Sequence, residues 1–159
     1  MVHFRPMTAN EFEIFAQWSV NNYAKSLIKS KLTTKRKART WAREEFEEIF
    51  PEGIASKDNY FYVIQNEQNE NVGVICYQTH PDSPEIAFIT EFIIEEKFRR
   101  KGYGSSTLAK IAEDAKEKGY TKMRLNVFKH NRISYAMYLK DGYEVVEDYD
   151  GSAIMEKVL

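Results

Sequence analysis

Glu95-Glu96-Lys97-Phe98-Arg99-Arg100-Lys101-Gly102-Tyr103-Gly104-Ser105-Ser106 joins an apolar run, Ile86 to Ile94, to a segment, Tyr103 to Lys118, in which Leu108, Ile111, Ala112 and Ala115 recur at helical spacing. A strand that passes through glycines into a helix is a junction suited to phosphate. Glycines let the backbone approach a ligand, N–H groups at the helix start point outward unpaired, and Arg99, Arg100 and Lys101 add positive charge. A Walker A loop needs a Lys after its last glycine, but Gly104 is followed by Ser105-Ser106-Thr107. A Rossmann fingerprint needs a third glycine, where this chain has Thr107. Arg99-Arg100-Lys101-Gly102-Tyr103-Gly104 instead follows the pattern R-x-x-G-x-G after an apolar strand.

Downstream of this junction, Gly119 supplies a left-handed helix stop, Lys122 to Phe128 reads as a strand and Ile133 to Lys140 as a short helix ending at Gly142. Tyr143 to Tyr149 and Ser152 to Val158 form a hairpin through Asp150-Gly151. Upstream, Tyr60 to Gln65, Val72 to Thr79 and Ile86 to Ile94 read as an antiparallel meander, joined by the polar turns Asn66 to Asn71 and His80 to Pro84. The third of these strands is apolar on both faces, with Ile86, Phe88, Phe92 and Ile94 on one and Ala87, Ile89 and Ile93 on the other, as in a central strand covered from both sides. Glu91 is the exception within it. Near the N-terminus, Val2 to Arg5 is a short strand closed by Pro6, and Thr8 with Glu11 fits a capping box. Phe12, Phe15, Ala16, Ser19, Tyr23 and Leu27 then mark the inner face of one helix. Ala38, Trp41, Ala42, Phe46, Ile49 and Phe50 mark that of a second, from about Thr34 to Phe50. The order β-α-α-β-β-β-α-β-α-β-β is that of a mixed α/β (α+β) domain with a strand-to-helix crossover in the middle.

No linker, low-complexity tract or repeat divides the 159 residues, so a single domain, 1–159, is expected. Hydrophobic residues make up 43% and aromatic residues 14%, enough for a packed core. The longest apolar runs, Tyr60 to Ile64 and Tyr135 to Leu139, are five residues each, far short of a membrane span. The N-terminus lacks signal-peptide blocks, and the lone cysteine, Cys76, excludes an intrachain disulfide framework. A cytoplasmic protein with no membrane partner is expected. One Cys and three scattered His offer no metal-ligand spacing, and Cys76, in a strand interior, reads as core. The net charge of -1 conceals an asymmetry: Ile14 to Arg43 holds eight Lys or Arg and no acid, and Glu44, Glu45, Glu47, Glu48 and Glu52 follow. The second helix thus carries its bases first and its acids last, against its own dipole. A solvated face accounts for this; a pI near 6.3 is not that of a nucleic-acid binder.

The junction resembles the acetyl-CoA loop of the GNAT superfamily of N-acetyltransferases, and the rest of the chain extends the match in order and spacing. Phe4-Arg5-Pro6-Met7-Thr8 with Glu11 is similar to the family's opening. Gly119-Tyr120 with Leu125-Asn126-Val127 resembles its post-helix strand, and Asn131 with Ala136, Tyr138, Lys140, Gly142 and Tyr143 is similar to N-x-x-A-x-x-L-Y-x-x-x-G-F. Within the superfamily the chain looks like a small bacterial member of no assigned substrate. The resemblance implies the acyl-CoA N-acyltransferase fold, a central mixed, mostly antiparallel sheet of about seven strands flanked by about four helices. It also implies a splayed V between the strand ending at Ile94 and the strand ending near Phe128, with the pantetheine arm of acetyl-CoA in the gap. Backbone groups of Phe92 and Ile94 would pair with that arm as if it were a strand. The diphosphate would sit on the N–H groups of Arg99, Arg100, Lys101, Gly102, Tyr103, Gly104 and Ser105, and Asn131 would hold the pantetheine end.

The chemistry that the resemblance implies is direct attack of an amine on the thioester. A lysine-like amine, of reference pKa about 10.4, is protonated at pH 7 and needs a base. Glu91 is the candidate, because burial in an apolar strand raises a carboxyl toward a useful range. His80 is a second candidate base and water a third; His3 and His130 have no comparable case. Some members use a Glu at the position of Asn126, whose amide cannot take a proton. Tyr138, by its place in the motif, is the proton or hydrogen-bond donor to the leaving thiolate; Tyr135, three residues away, lies close to the same helical face. The oxyanion would be met by the N–H of Ile93 or Ile94. The competing readings are a catalytically silent acetyl-CoA or coenzyme A sensor and a binder of nucleic acid or acidic protein through Lys25 to Arg43. The sequence does not identify the acceptor amine: Glu44, Glu45, Asp148 and Asp150 would attract a cationic amine or polyamine, and Lys35 to Arg39 an acidic peptide. A homodimer is one assembly consistent with the sequence, which leaves the oligomeric state open.

Overall fold

The molecule, a computed structural model that describes residues 1–159, alternates strands and helices in the expected order. The strands are β1 (His3–Pro6), β2 (Asn59–Gln65), β3 (Asn71–Thr79), β4 (Ile86–Ile94), β5 (Lys122–Phe128), β6 (Glu144–Asp148) and β7 (Ser152–Val158). The helices are α1 (Ala9–Lys29), α2 (Lys35–Ile49), α3 (Tyr103–Glu117) and α4 (Arg132–Lys140). The strands form one seven-stranded sheet, ordered β1-β2-β3-β4-β5-β7-β6. Every neighbouring pair is antiparallel except β4 and β5, which run parallel because α3 carries the chain back across one face before β5 begins. No helix is long and apolar enough to cross a membrane.

Two apolar layers enclose the sheet. Leu108, Ile111 and Ala115 of α3 and Tyr138 of α4 pack with Ile75, Tyr77, Ala87, Ile89, Leu125 and Met155 on one face. Phe12 and Phe15 of α1, Phe46 and Ile49 of α2 and Phe50 cover Phe61, Val63 and Cys76 on the other. The capping box forms as read, with Glu11 N–H donating to Thr8 Oγ1 and Thr8 N–H to Glu11 Oε1. The Arg5 guanidinium forks onto the same Glu11 carboxylate at 2.9 and 2.8 Å and, with the Thr8 N–H, holds it down at about 2.

Three expectations need correction. Trp41 does not face the core: it is 39% exposed, and its indole N–H donates to Glu45, one turn along α2. β6 begins at Glu144, because Tyr143 is drawn into the core against Tyr138. The division of β4 into faces also changes midway. Cys76 pairs with Glu91 but Tyr77 with Ile89, so Thr90 is an extra residue opposite no partner, a β-bulge. The alternation restarts there, and Phe92 and Ile94 join Ala87 and Ile89 on the α3 face. Glu91 and Ile93 lie with Cys76 and Val74 on the face covered by α1 and α2.

Candidate active site

β4 and β5 are paired only from Ile86 to Ile89, opposite Lys122 to Leu125. Beyond the bulge the two strands part, and the gap opens into a cavity of about 280 Å³. Glu95 N–H donates to Val72 O, so alternation turns the N–H and C=O of Ile93 toward β3 as well and leaves those of Phe92 and Ile94 on the open side of β4. Of the two N–H groups considered for the oxyanion, Ile94's is the one that faces the gap.

Glu91 lines this cavity beside Phe92. Ser19, buried on α1, donates its hydroxyl to Glu91 Oε2 at 3.1 Å. Burial pushes the Glu91 carboxyl up to about 7, and the Ser19 hydroxyl and the Phe92 N–H, which favour the charged form, hold it from rising further. The group therefore exchanges its proton near neutral pH. Tyr138 lines the same cavity from α4, and burial together with the neighbouring Glu91 charge raises its hydroxyl further above the ordinary phenol range. It is a protonated donor at any physiological pH. Asn131, the residue before α4, and Asn126 of β5 complete this side; the Asn131 side chain makes no capping bond.

The loop between β4 and α3 presents backbone. Gly102, with φ +83°, precedes α3 and brings no side chain to cap it. None of the N–H groups from Arg100 to Ser105 finds a partner within the protein; the first to do so is that of Ser106, on Gly102 O. These are the unpaired donors of a helix start, aimed out of the sheet. Gly104 is held by packing: a Cβ there would stand 2.8 Å from Met137 Sδ on α4. Arg99, Arg100 and Lys101 are exposed, and the Arg99 Nε donates to Ile94 O at 2.8 Å, which folds that side chain back on the strand it follows.

His80 stays in the loop before β4, where its Nδ1 accepts from Asp82 N–H, and does not line the cavity. Cys76 is buried under Glu91 as its cross-strand partner, and burial pushes its thiol well up. Of the acids that could attract a cation, Glu45 lines the cavity, whereas Asp148 pairs with Lys129. Helical spacing alone assigns Ser19 and Tyr23 to the packed face of α1. Their polar atoms were the available signal: two hydroxyls one turn apart on an otherwise apolar helix face.

Comparison with known proteins gives a consistent picture. The profile of the acetyltransferase (GNAT) family matches residues 25–143. The N-acetyltransferase YdgE of Bacillus subtilis (strain 168) is 37% identical over 138 residues, 86% of this chain and 88% of that protein. The spermidine N(1)-acetyltransferase of Thermoplasma acidophilum is 30% identical over 130 residues, 74% of each chain. Among solved structures, that of the acetyltransferase YycN of Bacillus subtilis covers 94% of this chain and 96% of its own, at a TM-score of 0.89 and 24% identity.

Proposed function

From membership of the GNAT acetyltransferase family, to which this chain belongs, we infer an acetyl-CoA-dependent N-acetyltransferase in which a primary amine attacks the thioester directly. The observation that carries this reading is the single gap between β4 and β5, which combines unpaired backbone groups with Glu91 and Tyr138. At the open edge of β4 the N–H and C=O of Phe92 and the N–H of Ile94 offer a pantetheine arm the hydrogen bonds of an added strand, the Ile94 C=O already accepting from Arg99. The N–H groups from Arg100 to Ser105, with the exposed charges of Arg99, Arg100 and Lys101, suit a diphosphate. Asn131, its amide uncommitted, would hold the inner end of the arm.

In this reading Glu91 takes the proton of the incoming ammonium, and a carboxyl near 7 matches that task at neutral pH. The freed amine nitrogen forms a bond to the thioester carbon, and the Ile94 N–H meets the oxyanion. When the carbon–sulfur bond breaks, Tyr138 faces the departing thiolate. Its hydroxyl is held above the ordinary phenol range, whereas a thiol has a reference pKa of about 8.5, so Tyr138 stabilises the thiolate by donating a hydrogen bond rather than by giving up its proton. The second proton of the attacking nitrogen passes to solvent as the amide forms, and solvent in turn protonates the sulfur. Asn126 does not move a proton and is left to orient the acceptor.

The test is thermal unfolding with and without acetyl-CoA, followed in the same sample by thiol release over a panel of primary amines. A ligand at about 100 times its dissociation constant stabilises the folded state by roughly 2.7 kcal/mol. Stabilisation with amine-dependent thiol release is the expected result. Stabilisation without release from any amine would replace the enzyme by a sensor, and neither effect would remove the coenzyme reading.

A further inference from the structure

The acceptor side of the cavity holds a second carboxylate that the chemistry above does not use. Glu45, on α2, lines the same cavity as Glu91. The Tyr23 hydroxyl donates to its Oε2 at 2.6 Å and the Trp41 indole N–H to the same oxygen at 3.2 Å. Its other oxygen, Oε1, receives no hydrogen bond from the protein, and no Lys or Arg pairs with it, although Ile14 to Arg43 is rich in both. The unusual placements of three residues converge here: a polar tyrosine on an apolar helix face, an exposed tryptophan and an acid in the last third of a helix that its dipole disfavours. Together they hold one carboxylate oxygen and leave the other free. This half-exposed carboxylate, with one oxygen free and no cation beside it, can accept a charge-assisted hydrogen bond from a ligand ammonium.

The two acids are positioned by one helix. Ser19 holds Glu91 and Tyr23 holds Glu45, and these residues stand four apart on α1, about 6 Å along the axis. The wall of the cavity that both acids line is largely apolar and includes Phe46, Phe88 and Phe128. Such a wall suits the methylene chain of a ligand charged at both ends and offers ring faces to an ammonium. The basic residues from Lys35 to Arg39 are exposed and do not line the cavity, so the opposite substrate, an acidic one, finds no counter-charge inside it.

We propose that Glu45 is a specificity-determining residue that binds a second ammonium of the acceptor, so that the preferred substrate is a linear diamine or polyamine with one nitrogen at Glu91 and another at Glu45. This rests on the acetyl-transfer reading above and goes beyond it in naming the substrate class. A monoamine of equal carbon number fills the same wall and leaves Glu45 unpaired.

The test measures thiol release from acetyl-CoA with butylamine, putrescine and spermidine, for the wild-type protein and for Glu45→Gln. Glutamine keeps an oxygen for Tyr23 and Trp41 and removes only the charge. The wild type is expected to favour putrescine or spermidine over butylamine in kcat/KM by roughly tenfold or more, the scale of one charge-assisted hydrogen bond. In Glu45→Gln that ratio collapses toward one, through the KM of the diamine rather than through kcat. A wild-type ratio near one, a ratio that survives in Glu45→Gln, or an equal fall for all three amines would each overturn the proposal while leaving the acetyltransferase reading intact. Absence of thiol release with every amine would overturn both.

Discussion

The two halves of the cleft are built by different means. The half formed by the open edge of β4 and the start of α3 presents backbone: N–H groups from Arg100 to Ser105 without partners, a glycine at φ +83° and a second glycine pressed against Met137. The half roofed by α1 and α2 presents side chains, Ser19, Tyr23, Glu45 and Glu91, each drawn from a different turn or element and each fixed by a hydrogen bond to another. A backbone site is indifferent to most side-chain changes and recognises a constant group. A side-chain site is rewritten by single substitutions. One half therefore suits an invariant co-substrate and the other a variable acceptor.

If the halves are separable, damage to one should leave the other's affinity in place. The largest effect is expected from Glu91→Gln, which should lower kcat by about a hundredfold or more and abolish the rise of activity with pH centred near 7, while acetyl-CoA binds as before. A loss of acetyl-CoA affinity on calorimetry would break the separation. The same substitution should stabilise the fold at alkaline pH. The folded carboxyl titrates at about 7, above its ordinary value of 4.5, so the unfolded chain releases its proton first and native stability falls as pH rises across that interval. Urea midpoints for the two proteins should diverge between those pH values, with the variant the more stable above 7.

Tyr138→Phe comes next. Removing one hydrogen bond to the departing sulfur should reduce kcat on the order of tenfold, with the KM for the amine little changed. An unchanged kcat in single-turnover thiol release would give Tyr138 to packing against Tyr143. Gly102→Ala probes the backbone half: a Cβ at φ +83° is strained, and relief of that strain turns the following N–H groups. Acetyl-CoA affinity should fall roughly fivefold, while the preference among amines stays as in the wild type. The smallest effect is expected far from both halves. Glu11, held at about 2 by Arg5, contributes stability above its unfolded pKa, and this is lost as pH falls from about 4.5 toward 2. Glu11→Gln should flatten that acid limb in unfolding experiments without altering catalysis.

The same contrast governs how much of the molecule is legible in its sequence. The loop from Glu95 to Ser106 lies within one continuous stretch, and its glycines and bases signal a turn and an anion site by local rules alone. The strand Lys122 to Phe128 and the hairpin partner Ser152 to Val158 were likewise legible from alternation and from Asp150-Gly151. The acceptor half was not, because it exists only where α1, α2 and β4 meet. Helical periodicity assigned Ser19 and Tyr23 to the inner face correctly and gave no indication that carboxylates 72 and 22 residues further along the chain await them there. Trp41 was misread for the same reason: size and spacing argued for the core, while its indole N–H serves an acid on the rim. Thr90 gave no signal at all, since β4 is apolar on both sides and hides a change of phase.

That unpaired threonine gives β4 a parity. A strand with strict alternation would place residues 91 and 93 on the side of Ala87 and Ile89, and the Glu91 carboxyl would then lie beneath α3, away from Ser19. One surplus residue inverts the sense of everything after it, so an apolar strand can place its one acid on the opposite side without bending out of the sheet. The segment from Ile89 to Ile94 is thus counted in whole residues. Drawing Thr90 into the ladder would return the acid to the wrong side and turn Phe92 and Ile94 from the core, whereas deleting Thr90 would leave a regular strand with Glu91 still opposite Cys76.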